Sequence, residues 1–257
     1  MREELFNEII ETFENEDIKE FANTVIDNFD PYVFTIPASS TGKYHPHYSL
    51  GEAGLVRHTV AVVRFLNHMF DVESIGNQFT SRERDLLRVA AIAHDCKKSG
   101  DQADYEKSKY TKFDHPLRAT NFIKSFNLLD DNERSFVAHC IESHMGAWNE
   151  SKRDPGIVLP KPQDKYQILL HVCDYLASRK DIEMRFDISP EFKDTTTKPE
   201  TPPDINTWIV PFGKYKGQNK TMLQIDAEDH DYIRWASKNA TSEPFHTFAV
   251  QLMEKSS

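Results

Sequence analysis

The stretch "AAIAHDCKKSG", residues 90–100, closes an oily helical run with a histidine, an aspartate and two lysines. A hydrophobic helix seldom ends by turning a carboxylate inward, because burying one is costly unless it is paired or ligates a metal. The pair His94–Asp95 therefore decides whether the surrounding helices form a plain core or a core wrapped around a site.

Working outward, the chain is dominated by helical periodicity. Apolar residues recur at three- and four-residue spacing in 52–70, 81–95, 116–129, 131–145 and 164–184, and this predicts five helices. Ser81 is the expected N-cap of the helix that carries His94, although Arg84 stands where a capping box prefers Glu; Pro116 suits a first helical turn. Residues 1–36 read as an N-terminal helical segment and 37–185 as the main domain. "DISPEFKDTTTKPETPPDIN" marks a linker over 186–206. Residues 207–257 form a small module with a strand-like start, a Gly-bounded turn and a helix, too short for a substantial core of its own. The fold class expected is all-α, with a small α/β appendage at the C-terminal end.

Composition narrows the function. With 39% hydrophobic and 11% aromatic residues, the chain supports a sizeable core. The net charge of −10 argues against a broad surface coating nucleic acid, yet leaves room for a local basic patch or for cations that supply the positive charge. No apolar run approaches the roughly 20 residues that span a bilayer. The acidic start "MREELFNEIIETFENED" is unlike a secretory signal, and three cysteines are too few for a disulfide framework. A cytoplasmic protein that uses no membrane is expected.

The eleven histidines are not scattered, since nine lie between His45 and His171. His58 shares a face with Leu55, Val62 and Phe65; His144 follows Val137, Cys140 and Ile141 at helical spacing. Asp174 falls between Leu170 and Ala177 on an apolar face. Three inward histidines and two inward aspartates on separate helices can satisfy one another by sharing cations. Imidazole with carboxylate suits Mn, Fe, Zn, Co or Ni, and carboxylate with water extends this to Mg. His139, five residues before His144, does not share its face and is expected to flank the site; the role of His171, one turn before Asp174, stays open. His45 and His47 lie in a loop within reach of substrate, though solvent is the simpler home for them. "SSTGK" (39–43) lacks the spacing and context of a phosphate loop.

This order of residues resembles the HD-domain phosphohydrolase superfamily, whose pattern is a helix histidine, a His-Asp pair and a distal aspartate. Here it falls on His58, His94–Asp95 and Asp174. Binuclear members add two histidines in between, which "FDHPLRA" offers as His115 and "HCIESHMG" as His144. The resemblance implies an HD-domain helical bundle and two divalent metal ions (Mn, Mg, Fe, Ni or Co). It also implies Asp95 as the bridging ligand and hydrolysis of phosphoesters as the activity. "PASSTGKYHPHYSLGEAGLVRHT" and "HCIESHMGAW" are similar to segments of HD-domain 3′–5′ exoribonucleases. Two departures are the absence of room for their N-terminal oligonucleotide-binding barrel in residues 1–36, and Lys97 in place of a glycine. "VPFGKYKGQ" with "DHDYIRWASKN" is similar to the small C-terminal module of exodeoxyribonuclease-X-type proteins.

The activity expected from these likenesses is a 3′–5′ exonuclease-type phosphodiesterase acting on single-stranded nucleic acid. Asp95 and Lys98 are the expected catalytic residues, with Lys98 offsetting charge on the phosphoryl group or simply solvated at a helix C-terminus. Lys43, His45, Lys214 and Lys216 are candidate substrate contacts; the last two equally suit a lysine-bearing turn held by Trp208 and Trp235. The alternatives are a nucleotide or cyclic-nucleotide phosphohydrolase, and a catalytically silent HD module that binds without turnover.

Overall fold

Residues 85–93 are all buried, nine in succession, so the helix that leads to His94 is surrounded on every side. A helix hydrophobic all round sits in the middle of a bundle, and the computed structural model places it there. The structure describes residues 2–39, 42, 45–186, 204–240, 242 and 244–255. Residue 43 and most of the expected linker, 187–203, lie outside them.

Two compact units divide the chain, Met1–Thr196 and Thr197–Ser257. The first holds α1 (Arg2–Ile10), α2 (Glu16–Asp27), α3 (Gly54–Asp71), the short α4 (Glu73–Gly76) and α5 (Ser81–Ala93). It continues with α6 (Gln102–Lys107), α7 (His115–Lys124), α8 (Asp131–Glu142) and α9 (Lys165–Ala177). The central α5 packs against α2, α3, α8 and α9, and its small residues Ala90, Ala91 and Ala93 let those neighbours come close. The second unit holds α10 (Met222–Glu228), α11 (His230–Asn239) and α12 (Phe245–Lys255). The protein is thus all-α: among the described residues no strand is formed, only the isolated antiparallel bridges Glu150–Val158 and Ile209–Thr221.

Local chemistry explains where the helices begin and end. The N-cap of α5 is Thr80, not Ser81: the Thr80 hydroxyl accepts from Glu83 N at 3.2 Å while the Glu83 carboxylate accepts from Thr80 N at 2.8 Å. The T-x-x-E spacing of a complete capping box lies one residue upstream of the serine. α8 stops at Glu142, so His144 sits in the turn after the helix rather than on it. α9 stops at Ala177, well short of the periodic pattern, with Ser178 as its C-cap.

The N-terminal helices are anchored to the body by one buried carboxylate. Asp85 is fully buried on α5, pairs with Arg88, and accepts from the backbone N–H of Glu14 at 2.9 Å and of Asn15 at 2.7 Å. Asn15 is the N-cap of α2 and makes no side-chain cap bond of its own, so Asp85 satisfies donors at that helix start.

The second unit corrects one expectation. Val210, Met222, Ile225, Ile233, Phe245 and Leu252 belong to a core of its own. Trp208 packs inside it against Phe212, Phe245 and Phe248, and Trp235 is half exposed, stacked on Tyr232. Aromatic rings bury enough area apiece to give a short module a core. The strand-like start at Ile209 is reduced to its single bridge with Thr221. No helix among the described residues is long and apolar enough to cross a membrane. Cys96, Cys140 and Cys173 are free and buried.

Candidate metal centre

Four helices and one turn deliver side chains to the C-terminal end of α5. His58 comes from the second turn of α3, and His94 caps α5 with Asp95 beside it. His115 opens α7, His144 follows α8, and Asp174 comes from the last turn of α9. The four histidines and Asp95 are at most 3% exposed, and the Asp174 side chain is 18% exposed.

The two oxygens of Asp95 face different partners. Oδ2 lies 3.6 Å from His94 Nε2 and 4.0 Å from His58 Nε2; Oδ1 lies 3.0 Å from His115 Nε2 and 3.7 Å from His144 Nε2. Asp174 Oδ1 joins the first group, 3.0 Å from His58 Nε2 and 3.7 Å from His94 Nε2. Three overlapping sets therefore have ligand atoms within 4.8 Å of one another: His58–His94–Asp95, His94–His144–Asp174 and Asp95–His115–His144.

The tautomers are decided by backbone carbonyls. Nδ1 of His94, His115 and His144 each donates to the carbonyl three residues earlier, on Ala91, Lys112 and Ile141, at 2.7 Å in every case. In the neutral form, a ring held in this way presents its lone pair at Nε2. His115 Nε2 and His144 Nε2 are 3.3 Å apart, so two lone pairs face one another in a buried space. His94 Nε2 and Asp95 Oδ1 are buried without a hydrogen-bond partner, the short approach of His115 to Asp95 lacking hydrogen-bond geometry. Lys98 serves Asp95 Oδ2 and His58 serves Asp174, but no donor reaches His94 Nε2 or Asp95 Oδ1, and unpaired acceptors are costly in an apolar interior. A cation relieves the repulsion, so this donor set fits divalent metal, with Nδ1–carbonyl bonds orienting the rings from behind.

Electrostatics point the same way. Burial pushes His94 below its ordinary value; burial, then the neighbouring His94 and His115, hold His144 down at about 3. Burial opposes charge on Asp95, but Lys98, His94 and His115 outweigh it and keep the carboxyl well below the usual range. For Asp174, burial is likewise outweighed by the hydrogen bond from His58 and the nearby His94. Lys98 is not a solvated cation: its side chain is 14% exposed and its ammonium pairs with Asp95 Oδ2.

Beside this cluster opens a pocket of about 400 Å³ whose wall includes His45, His58, Asp95, Lys98, His144 and Asp174. His45 lines it with its ring 5.9 Å from that of His58, so it belongs to the pocket and not to loop solvent. Burial, then His58 and Lys98, lower its pKa to about 4. Lys43 is outside the described residues. Lys214 is paired with Asp229, and Lys216 is exposed on the second unit. His139 does not back the site: it is half exposed and pairs with Glu142 at 3.0 Å. His171 does approach it, donating from Nδ1 to the His144 carbonyl at 2.7 Å. The sequence pattern gives no warning of Trp148, Tyr175 and Arg179, which complete the wall. Trp148 sits in an irregular loop, and the periodicity of α9 singles out Asp174 over its neighbours.

Residues 55–179 match the family model of the HD domain. The match covers all six candidate ligands and supports the HD-domain phosphohydrolase superfamily for this segment. An HD domain implies a metal-dependent phosphohydrolase. No curated protein and no solved structure matches the chain at a significant level. The finer likenesses, to 3′–5′ exoribonucleases and to the exodeoxyribonuclease-X-type tail, find no support in these comparisons.

Proposed function

We propose that this protein is a binuclear metal-dependent phosphodiesterase that removes nucleotides from the 3′ end of single-stranded nucleic acid. The observation that carries the reading is the division of Asp95, one oxygen towards His58 and His94 and the other towards His115 and His144. His58, His94, Asp95 and Asp174 would hold one cation, and Asp95, His115 and His144 the second. When bound, such a pair supplies Lewis-acid activation of water and charge neutralisation at the phosphoryl group. The chain's own residues supply the rest. Backbone carbonyls hold the Nδ1 protons of His94, His115 and His144, so that the Nε2 of these three rings faces inward. Lys98 can leave Asp95 for the non-bridging phosphoryl oxygens and offset the charge that grows there. Likeness of the lead-in segment to exoribonucleases supports the 3′ polarity, and we place the protein in the cytoplasm.

A second reading, a nucleotide or cyclic-nucleotide phosphohydrolase, is favoured by the compact pocket, whose roughly 400 Å³ suits one small ligand. Incubating the protein with single-stranded RNA, single-stranded DNA, nucleoside triphosphates and cyclic dinucleotides, each with Mn, Mg, Ni or Co, separates the two. Stepwise shortening of oligomers from the 3′ end is expected. Turnover of free nucleotides alone would establish the second reading, and no turnover under any condition would leave a silent binding module. The metal count has its own check. His144→Ala should reduce bound metal from two ions per chain to one by elemental analysis, and an unchanged count refutes the binuclear arrangement.

A further inference from the structure

Part of the pocket wall beside the ligand cluster is aromatic and stands open to water. Trp148 is 54% and Tyr175 40% exposed, their rings are within 16° of parallel with centroids 6.0 Å apart, and the Arg179 guanidinium carbon lies 4.2 Å from the Tyr175 ring centre. Exposed rings grouped at a cleft mark a binding surface more often than chance. We propose that Trp148, Tyr175 and Arg179 form a stacking subsite for the nucleobase of the substrate. The inference rests on the phosphodiesterase reading of the adjoining centre and adds how the substrate is held.

Two features show that the rings are built into the site. On α9 and its C-cap, His171, Asp174, Tyr175 and Ser178 all line the pocket at positions i, i+3, i+4 and i+7, so Asp174 and the Tyr175 ring share one helix face. The turn that carries Trp148 also carries His144, and it is pinned to that face. His171 donates to the His144 carbonyl, and Gly146, at φ +57°, packs so tightly that a Cβ there would stand 2.1 Å from the His171 ring. The backbone thus presents Trp148 at a set distance from the ligand cluster before any ligand arrives, which reduces the ordering cost of binding.

The chemistry selects the occupant. A flat aromatic face with a guanidinium beside it recognises flat heterocycles by stacking and cation–π attraction. Sugar phosphates, phosphoserine, phosphothreonine and inorganic polyphosphate have no such face to offer. A nucleotide does, and its phosphate and base fit together within a single pocket of this size. Because every base has a π-face, the subsite should accept all of them with modest preference.

The test compares adenosine 5′-monophosphate with ribose 5-phosphate on the Mn-loaded, full-length protein, reading Kd by calorimetry, or KM where the ligand turns over. The wild type should bind the nucleotide at least about tenfold more tightly than the base-free sugar. Trp148→Ala and Tyr175→Ala should each weaken nucleotide binding about 5- to 150-fold and leave ribose 5-phosphate unchanged, while Trp148→Phe retains most of the preference. Equal affinities in the wild type overturn the proposal. So does undetectable binding of the nucleotide at millimolar concentration, or an equal loss for both ligands in Trp148→Ala. Base preference without hydrolysis of any oligonucleotide would retire the phosphodiesterase reading and keep the subsite. Hydrolysis without base preference would do the reverse.

Discussion

Asp95→Ala is expected to lower turnover at least about a thousandfold and to strip both cations while the helical fold persists. Among the six candidate ligands, Asp95 alone has oxygens in both halves of the cluster, with Oδ2 towards His58 and His94 and Oδ1 towards His115 and His144. Losing it removes a ligand from both proposed cation sites at once, whereas each histidine is assigned to one of the two. The fold should survive because Lys98, the cation left behind, is partly exposed and can turn to water. Asp95→Asn sharpens the test, since the amide keeps the shape and lacks the charge and the second acceptor; its activity should fall nearly as far. Far-ultraviolet dichroism, elemental analysis and turnover on the same preparations read the three consequences. An Asp95→Ala protein with full activity or full metal content sinks the assignment.

The second large effect concerns stability. Asp85→Ala should cost about 3–5 kcal/mol, a large share of the roughly 5–15 kcal/mol that holds a domain together. Asp85 is fully buried and Arg88 is 5% exposed, so removing the carboxylate leaves a guanidinium without its counter-charge. It also orphans the N–H groups of Glu14 and Asn15, with which Asp85 anchors the start of α2. The midpoint of urea unfolding measures the loss. Replacing both partners, Asp85→Ala with Arg88→Met, should be milder than the single change, because the double variant strands no buried charge. An unfolding midpoint unmoved by Asp85→Ala contradicts this account.

Much of the helical architecture is legible in the chain, because apolar spacing reports the buried face of each helix directly. Boundaries are less legible. Ser81 and Thr80 are equally good capping oxygens on paper, and only the return bond from Glu83 selects Thr80. His144 continues the spacing of α8 yet lies beyond its end, where the turn to Gly146 takes over. The core of the second unit is hidden in the sequence because its aromatic residues are spread over some forty positions and meet only after folding.

The candidate site divides in the same manner. His94–Asp95, His58, His144 and Asp174 announce themselves by breaking the burial rule on otherwise apolar faces. His115 breaks no periodic pattern, since it is the first residue of α7, and family resemblance is what brings it in. Asp85 breaks the rule as well, but satisfies itself through Arg88 and two backbone donors, so an inward carboxylate by itself does not make a metal site.

The chain by itself therefore determines the helices, the face each one buries, and the few polar groups forced inward. A 3.6-residue period says which way a side chain leaves its own helix and nothing about what meets it. Which oxygen of Asp95 faces which imidazole, that three Nε2 lone pairs converge, and that Trp148 joins Tyr175 beside them depend on how α3, α5, α7, α8 and α9 cross. Those crossings are set by long-range packing around α5, and tertiary structure alone decides them.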